Sequence, residues 1–385
     1  MRTLTWGEVW GRRLARHALL APLPRERLED AVRAVCGIHA QVMPAAMLSL
    51  GMRVEGVTIR DIRAALWERR ALVKAHGPRG TVHLFAADDL PLWVAALRAI
   101  PRPDDTRRLA SLGLEPAQVT ALVAAISDAL DGRQLTRDML GDEVARRVGD
   151  WALDPVSPAF GGRWPRWQMA IGAAASSGLL CFGPDQGTRV TFVRPDQWLG
   201  AWSEPDGAAA LREVFRRYLA AYGPATPRDF AQWLAMPLSA ATAIARELAG
   251  ELEEVDVEGH HAWLLANAAA TSWPPPRNVV RLLPHFDCYG IGCHPRERLV
   301  PAAWAERALT RGAIGNVPLV IRDGVVAGIW RQHRSRRQIE IQVEISDSLA
   351  AAERDELAAA ATRIGEILET KAMLSLGEVD ARPHL

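Results

Sequence analysis

Residues 36–44 carry the residue types best suited to chemistry: Cys36-Gly37-Ile38-His39-Ala40-Gln41-Val42-Met43-Pro44. Side chains two apart point to nearly opposite sides of a helix but to the same side of an extended segment. Gly37 weakens a helix here, and Pro44 biases Met43 away from helical geometry. His39 and Gln41 are therefore expected to converge on one point at a helix end, where an imidazole can move a proton and an amide can orient a water. The plain alternative is that His39 is a satisfied core histidine.

Two further clusters have chemical potential. Trp330-Arg331-Gln332-His333-Arg334-Ser335-Arg336-Arg337-Gln338 crowds four arginines and a histidine onto one stretch with no acid among them. Guanidinium forks suit phosphate oxygens and narrow grooves, so this stretch is expected to grip nucleic acid; the alternative is a solvated turn. The stretch 285–294 supplies His285, Asp287, Cys288, Cys293 and His294, all metal-ligand types. Its Cys-x4-Cys spacing lies outside the usual knuckle and no second pair exists, so we assign no metal and expect a strand and tight turn with buried thiols.

These clusters must be positioned by a repeated scaffold. Three times, helical patterns precede two short β-prone runs around a turn: residues 72–85 about Gly77-Pro78-Arg79-Gly80, residues 179–193 about Gly183-Pro184 to Gly187, and residues 252–265 about Glu258-Gly259. Leu28, Val32 and Val35 recur at helical spacing, as do Ile62, Leu66 and Trp67. Residues 211–222 read as an amphipathic helix ending at Gly223-Pro224, and Thr226 should cap a helix with Pro227 in its first turn. Helices followed by a short hairpin, three times over, form the winged-helix pattern. The last third changes character: residues 318–330 and 338–345 are strongly β-prone, Arg322-Asp323-Gly324 reads as a hairpin turn, and residues 347–368 return to a helix. A small barrel closed by one helix is expected there.

Composition removes several classes of function. A chain of 385 residues exceeds one ordinary core. With 49% hydrophobic and 24% charged residues and a net charge of +1, it is no polyelectrolyte. Of 46 Lys plus Arg, only Lys74 and Lys371 are lysines, so amine-nucleophile chemistry has two candidates. Four cysteines are too few and scattered for a disulfide framework, no apolar run approaches about 18 residues, and the N-terminus has no clean signal-peptide core. The expected location is the cytoplasm, at the nucleoid. P-loop, dinucleotide, zinc-protease and serine-hydrolase signatures are all missing from the sequence.

The stretches GIHAQVMPAAMLSLGMR (37–53), LVKAHGPRGTVHLFAADDLPLW (72–93), YLAAYGPATPRDFAQWL (218–234), VVRLLPHFDCYGIG (279–292) and PLVIRDGVVAGIWRQHRSRRQIEIQVE (318–344) together resemble the AlkZ-like winged-helix DNA glycosylases, a family known for self-resistance to DNA-alkylating antibiotics. The resemblance covers nearly the whole chain. It implies an α+β fold of three winged-helix units (1–95, 96–205 and 206–273) and a C-terminal β-barrel-like domain (274–385), C-shaped around double-stranded DNA; the internal triplication points to a monomer, and no cofactor or metal is expected.

The family's catalytic Gln-x-Gln falls on His39-Ala40-Gln41: Gln41 matches and His39 departs. Histidine at that place is similar to relatives acting on bulky intercalating epoxide adducts, whereas relatives that remove small alkyl purines carry an acid at the second position. The resemblance thus implies a monofunctional glycosylase for N7-alkylguanine, with Gln41 holding the water and His39 as base or second positioner. Arg331, Arg334, Arg336 and Arg337 would grip a groove, and Arg79 and His83 near the first wing would line the site. A winged-helix regulator reading base edges, a glycosylase for small N7-alkyl purines, and a degenerate paralogue that binds adducts without cleaving them are the competing readings.

Overall fold

Asp323 and Gly324 both adopt positive φ, 50° and 92°, the signature of a two-residue type I′ turn that matches strand twist. They join strands Leu319–Arg322 and Val325–Arg334 at the turn expected from the sequence. The structure, a computed structural model, describes residues 1–101, 106–159, 162–269, 273–335, 338–345 and 348–380. The chain folds into two compact units: Met1–Ala65 with Glu213–Leu385, and Leu66–Arg212.

The first unit contains a five-stranded sheet ordered Val280–Leu283, Leu319–Arg322, Val325–Arg334, Gln338–Ile345, Lys371–Leu376. All pairings are antiparallel except the last. The sheet forms a half-barrel, in keeping with the β-barrel-like domain expected. Strand period sorts its residues: Ile339, Ile341 and Val343 are buried while Glu340 is exposed. One face is covered by the helix Ala351–Ile367, which packs Leu357, Ala361 and Ile364 against Val280, Leu282, Val320 and Trp330. That helix starts four residues later than residue 347.

The third predicted hairpin is also in this unit, Leu252–Val257 and His260–Leu265, turning at Glu258 and Gly259 as expected. The sequence reading did not foresee that Arg2–Leu4 adds a parallel strand to it. Thr226 caps the helix Pro227–Leu234 through a reciprocal bond pair with Asp229.

The second unit holds the first two hairpins, Leu72–His76 with Val82–Ala86 and Cys181–Gln186 with Arg189–Val193. The latter turns at Gly187 (φ 65°); Gly183-Pro184, expected at the turn, lies inside the strand at a register shift. Its core gathers Leu122, Ile126, Leu140, Val144, Trp167, Leu180 and Phe192. Among the described residues no helix is long and apolar enough to cross a membrane.

Candidate functional site

The motif segment is made extended by the way the preceding helix ends. Helix Leu28–Ala34 closes in a Schellman arrangement, with the Gly37 N–H donating to Val32 O (2.9 Å) and the Cys36 N–H to Arg33 O (3.1 Å). Cys36 and Gly37 both take positive φ, 60° and 96°, which turns the chain into the two-residue strand Ile38–His39. Val42 remains extended, and helix Met43–Gly51 then begins with Pro44 in its first turn. Met43 is thus helical, because a proline is tolerated in a first turn whose N–H groups have no intrahelical acceptor.

His39 is 7% exposed and stacks on Phe286, ring centroids 5.0 Å apart. Gln41 is exposed two residues later. The segment therefore presents a fixed, packed imidazole and a solvent-facing amide.

What holds this segment is a buried polar framework, invisible in the motif itself. The Tyr222 hydroxyl donates to Val35 O (2.9 Å), and the Cys288 thiol points at Gly37 O (3.5 Å). Tyr222 ends the helix Gly207–Tyr222, whose terminal carbonyls are taken up by two buried arginines. Arg12 donates to Leu219 O and Gly223 O, and Arg13 to Tyr222 O and Pro224 O. Cations at a helix C-terminus oppose the negative end of its dipole. Burial, then Arg16 and Arg13, lowers the Arg12 guanidinium to about 9, so it stays charged at neutral pH.

Asp287 is the second anchor. Its carboxylate receives both terminal nitrogens of Arg53 at 2.8 Å and the Ser49 hydroxyl at 2.6 Å, so the helix that follows the motif is tied to residue 287. Burial alone would raise the Asp287 pKa, but Arg53 and these hydrogen bonds outweigh it and hold the carboxylate below its usual range. The expected strand and tight turn is instead a short helix, Cys288–Gly292, whose Tyr289 N–H bonds Asp287.

The thiols are buried as expected. Burial, then the Asp287 carboxylate, pushes Cys288 up to about 11, and burial does the same to Cys293. Both remain protonated thiols at neutral pH, and among the described residues no group of three metal-ligand side chains forms. The sequence singles out Asp287 and Cys288 as ligand types but shows neither their bonds to Arg53, Ser49 and Gly37 O nor the roles of Phe286, Tyr222, Arg12 and Arg13. A buried Arg–Asp pair more than 200 residues apart leaves no local signal.

A cleft of about 590 Å³ opens beside the motif. Val42, Pro44, Ala45 and Leu48 supply one wall, directly after Gln41. Pro284 and His285, which precede Phe286, supply another, and Trp330, Arg331 and Gln332 of the basic hairpin a third. The structure thus brings the motif segment and the start of the basic stretch to one cavity. Arg331 is exposed and steadied by Gln342 (2.8 Å); Arg334 is exposed toward the hairpin tip. Arg336 and Arg337 lie outside the described residues. The basic stretch lacks acids only along its own strand, because His333 sits opposite Glu340 on the partner strand.

Arg79 and His83 belong to the second unit. Arg79 occupies the turn Pro78–Gly80 at φ 60°. His83 is buried, stacked on Phe85 (5.7 Å), with Nδ1 3.1 Å from Thr81 O. Lys74 in the adjacent strand is also buried, its ammonium 4.6 Å from the Phe182 ring centroid, and burial lowers its pKa.

A half-barrel, hairpin-bearing helical units and a His-x-Gln segment beside a cleft edged by arginine agree with one class of protein, enzymes that act on DNA. Residues 32–367 match the family described as DNA glycosylase AlkZ-like; the chain belongs to this family and is a DNA glycosylase, a DNA-repair enzyme. A Streptomyces sahachiroi protein named interstrand DNA cross-link repair glycosylase is 31% identical over 337 residues, 85% of this chain and 87% of that protein. The solved structure of Streptomyces sahachiroi DNA glycosylase AlkZ is similar with a TM-score of 0.80 at 26% identity, covering 98% of this chain and 100% of that one.

Proposed function

We propose that this glycosylase hydrolyses the N-glycosidic bond of N7-alkylguanine in double-stranded DNA, with bulky natural-product adducts as its substrates, and that it acts as a monomer without lyase activity. The observation that carries the reading is the exposed Gln41 beside the cleft that Arg331 edges. Alkylation at N7 makes guanine cationic, so the base departs as a neutral leaving group when the C1′–N9 bond breaks, with no strong general acid required. The catalyst's task is then to place a water at C1′ and stabilise an oxocarbenium-like sugar. The Gln41 amide oxygen accepts a hydrogen bond from that water. The water oxygen bonds to C1′ and releases its proton to solvent.

His39 is the second positioner. Its burial against Phe286 supports a fixed role in the segment over that of a freely solvated base. The exposed arginines 331 and 334, with 336 and 337, hold phosphates; Arg79, at the turn of the first wing, is assigned to a DNA contact, whereas the burial of His83 leaves it supporting that turn from within. The relative named for interstrand cross-link repair supports a bulky alkyl lesion over a methyl group, as does Gln41 where an acid would mark the small-adduct branch.

An amine at C1′ would be required for strand cleavage; of the two lysines, Lys74 is withdrawn into the hairpin core and Lys371, though exposed, is not among the residues lining the cleft beside Gln41, which supports a monofunctional reaction. The test is single-turnover excision by the double variant His39→Ala, Gln41→Ala. The rate should fall by about 10²- to 10⁴-fold, the worth of positioned polar groups, with duplex affinity retained. Excision at the wild-type rate would overturn the assignment.

A further inference from the structure

Phe286 has a backbone that its side chain disfavours. Its φ is 56°, in the left-handed region where a bulky residue is an outlier. Among the described residues it is the one aromatic residue held there. Hydrogen bonds on both sides impose the conformation: the Phe286 N–H donates to Gly315 O at 2.9 Å and the Asp287 N–H to Pro284 O at 3.3 Å. The Asp287 carboxylate is in turn clamped by Arg53 and Ser49. Gly315 makes room for the strained residue. It sits at φ 110°, and a Cβ there would lie 3.0 Å from Phe286 Cδ1 and 3.3 Å from Phe286 Cα.

The chain turns at Phe286 on its way from strand Val280–Leu283 to helix Cys288–Gly292. Glycine or asparagine would make that turn with less strain, so phenylalanine adds only its ring. Being half-buried, the ring gains less from leaving water than a core side chain does. What it does is stack on His39, with centroids 5.0 Å apart and planes 29° from parallel. A face contact of this kind fixes the imidazole plane while the two ring nitrogens stay on the edge, where polar contacts are made. Strain held at one residue to place another is a recurring feature of functional sites. We infer that Phe286 is a positioning residue: its left-handed backbone holds the phenyl ring against His39 and so fixes the orientation of the imidazole. This rests on the second-positioner role proposed for His39 and names the group that enforces it.

Phe286→Asn keeps the turn, because asparagine tolerates the left-handed region, and removes the ring. Phe286→Gly is a second ring-free variant, glycine being the residue freest in that region, and Phe286→Tyr keeps the ring. Each is first shown to melt cooperatively. In single-turnover release of the N7-guanine adduct of aflatoxin B1 epoxide from duplex DNA, both ring-free variants should lose about 10- to 100-fold in rate at unchanged duplex affinity, the scale of a misplaced catalytic group. Phe286→Tyr should recover most of that loss. In a His39→Ala background, Phe286→Asn should cost no more than about threefold, because residues acting through one contact are not additive. The imidazole signals of His39, identified in NMR spectra by their absence from His39→Ala, should shift in Phe286→Asn, where the ring current is gone, and stay near their wild-type positions in Phe286→Tyr.

Ring-free variants that excise at the wild-type rate, losses that multiply in the double variant, or His39 signals unmoved by removal of the ring would each overturn the inference while leaving the glycosylase assignment intact. A wild-type rate in His39→Ala, or no release by the wild-type protein, would contradict the proposed reaction. The His39 signals would then decide alone: their shift in Phe286→Asn would sustain the positioning contact, and their constancy would overturn it.

Discussion

His39 and Gln41 owe their arrangement to residues that never touch them in sequence. Asp287 ties the helix after the motif to the short helix containing Cys288, and Cys288 in turn meets the motif backbone at Gly37. Removing one partner of a buried ion pair strands the other charge, at a cost of about 3–5 kcal/mol. Asp287→Asn should therefore lose stability on that scale by chemical denaturation, and excision should fall with it even in conditions where the variant is folded; a loss below about 1 kcal/mol would show that the pair is not an anchor.

A second residue sets a pH dependence. Burial, then Arg53, with Arg13 adding and Asp287 opposing, lowers His17 to about 3, packed edge-on to Tyr222 and Tyr289. An unfolded histidine titrates near 6.5, so between about 6.5 and 3 the unfolded chain binds a proton that the folded chain refuses. Stability is complete above that window and falls as pH drops through it. His17→Phe should show a shallower loss than wild type between pH 7.5 and 5 in urea melts; parallel losses would exclude His17 as a source. At this scale the sequence displayed the glycine, proline, histidine and glutamine of the motif. It could not display Phe286 or Arg53, whose contacts arise only once distant segments meet.

Among elements, hairpins were the most legible because their turns demand positive φ and their strands alternate. Glu258-Gly259 and Asp323-Gly324 both satisfy this; the Thr226–Pro227 start of a helix was legible for a different reason, its capping threonine and first-turn proline. Two kinds of element escaped. Gly183-Pro184 mimicked a turn but sits at an irregularity within a strand. The strand Arg2–Leu4 is too short to read and exists only by pairing with Leu252–Val257.

The hairpin of residues 325–345 carries an electrostatic prediction. Each phosphate contact contributes about 0.9 to the slope of log affinity against log salt. Replacing Arg334, Arg336 and Arg337 together by alanine should reduce that slope by about 2–3 for undamaged duplex, measured by fluorescence anisotropy across 50–300 mM salt. An unchanged slope would leave the hairpin a solvated turn.

At the scale of the molecule, a net charge of +1 hides a local basic stretch, so affinity for DNA must come from placement and not from total charge. The family was legible in the sequence because its matching stretches run from 37 to 344, while the cleft beside the motif was not. The cleft is assembled from residues 42–48, 284–285, 317–318, 330–332, 368 and 379–380, and no local pattern reports such an assembly.

The most direct measurement incubates wild-type enzyme with duplexes bearing a bulky intercalating N7-guanine adduct or an N7-methylguanine, then scores strand breaks with and without alkali. The account predicts alkali-dependent breaks at the bulky adduct, few at the methyl adduct, and none without alkali. Breaks at the methyl adduct alone would contradict the substrate, breaks without alkali would contradict the monofunctional reaction, and tight binding of undamaged duplex with no release from either would contradict the central claim.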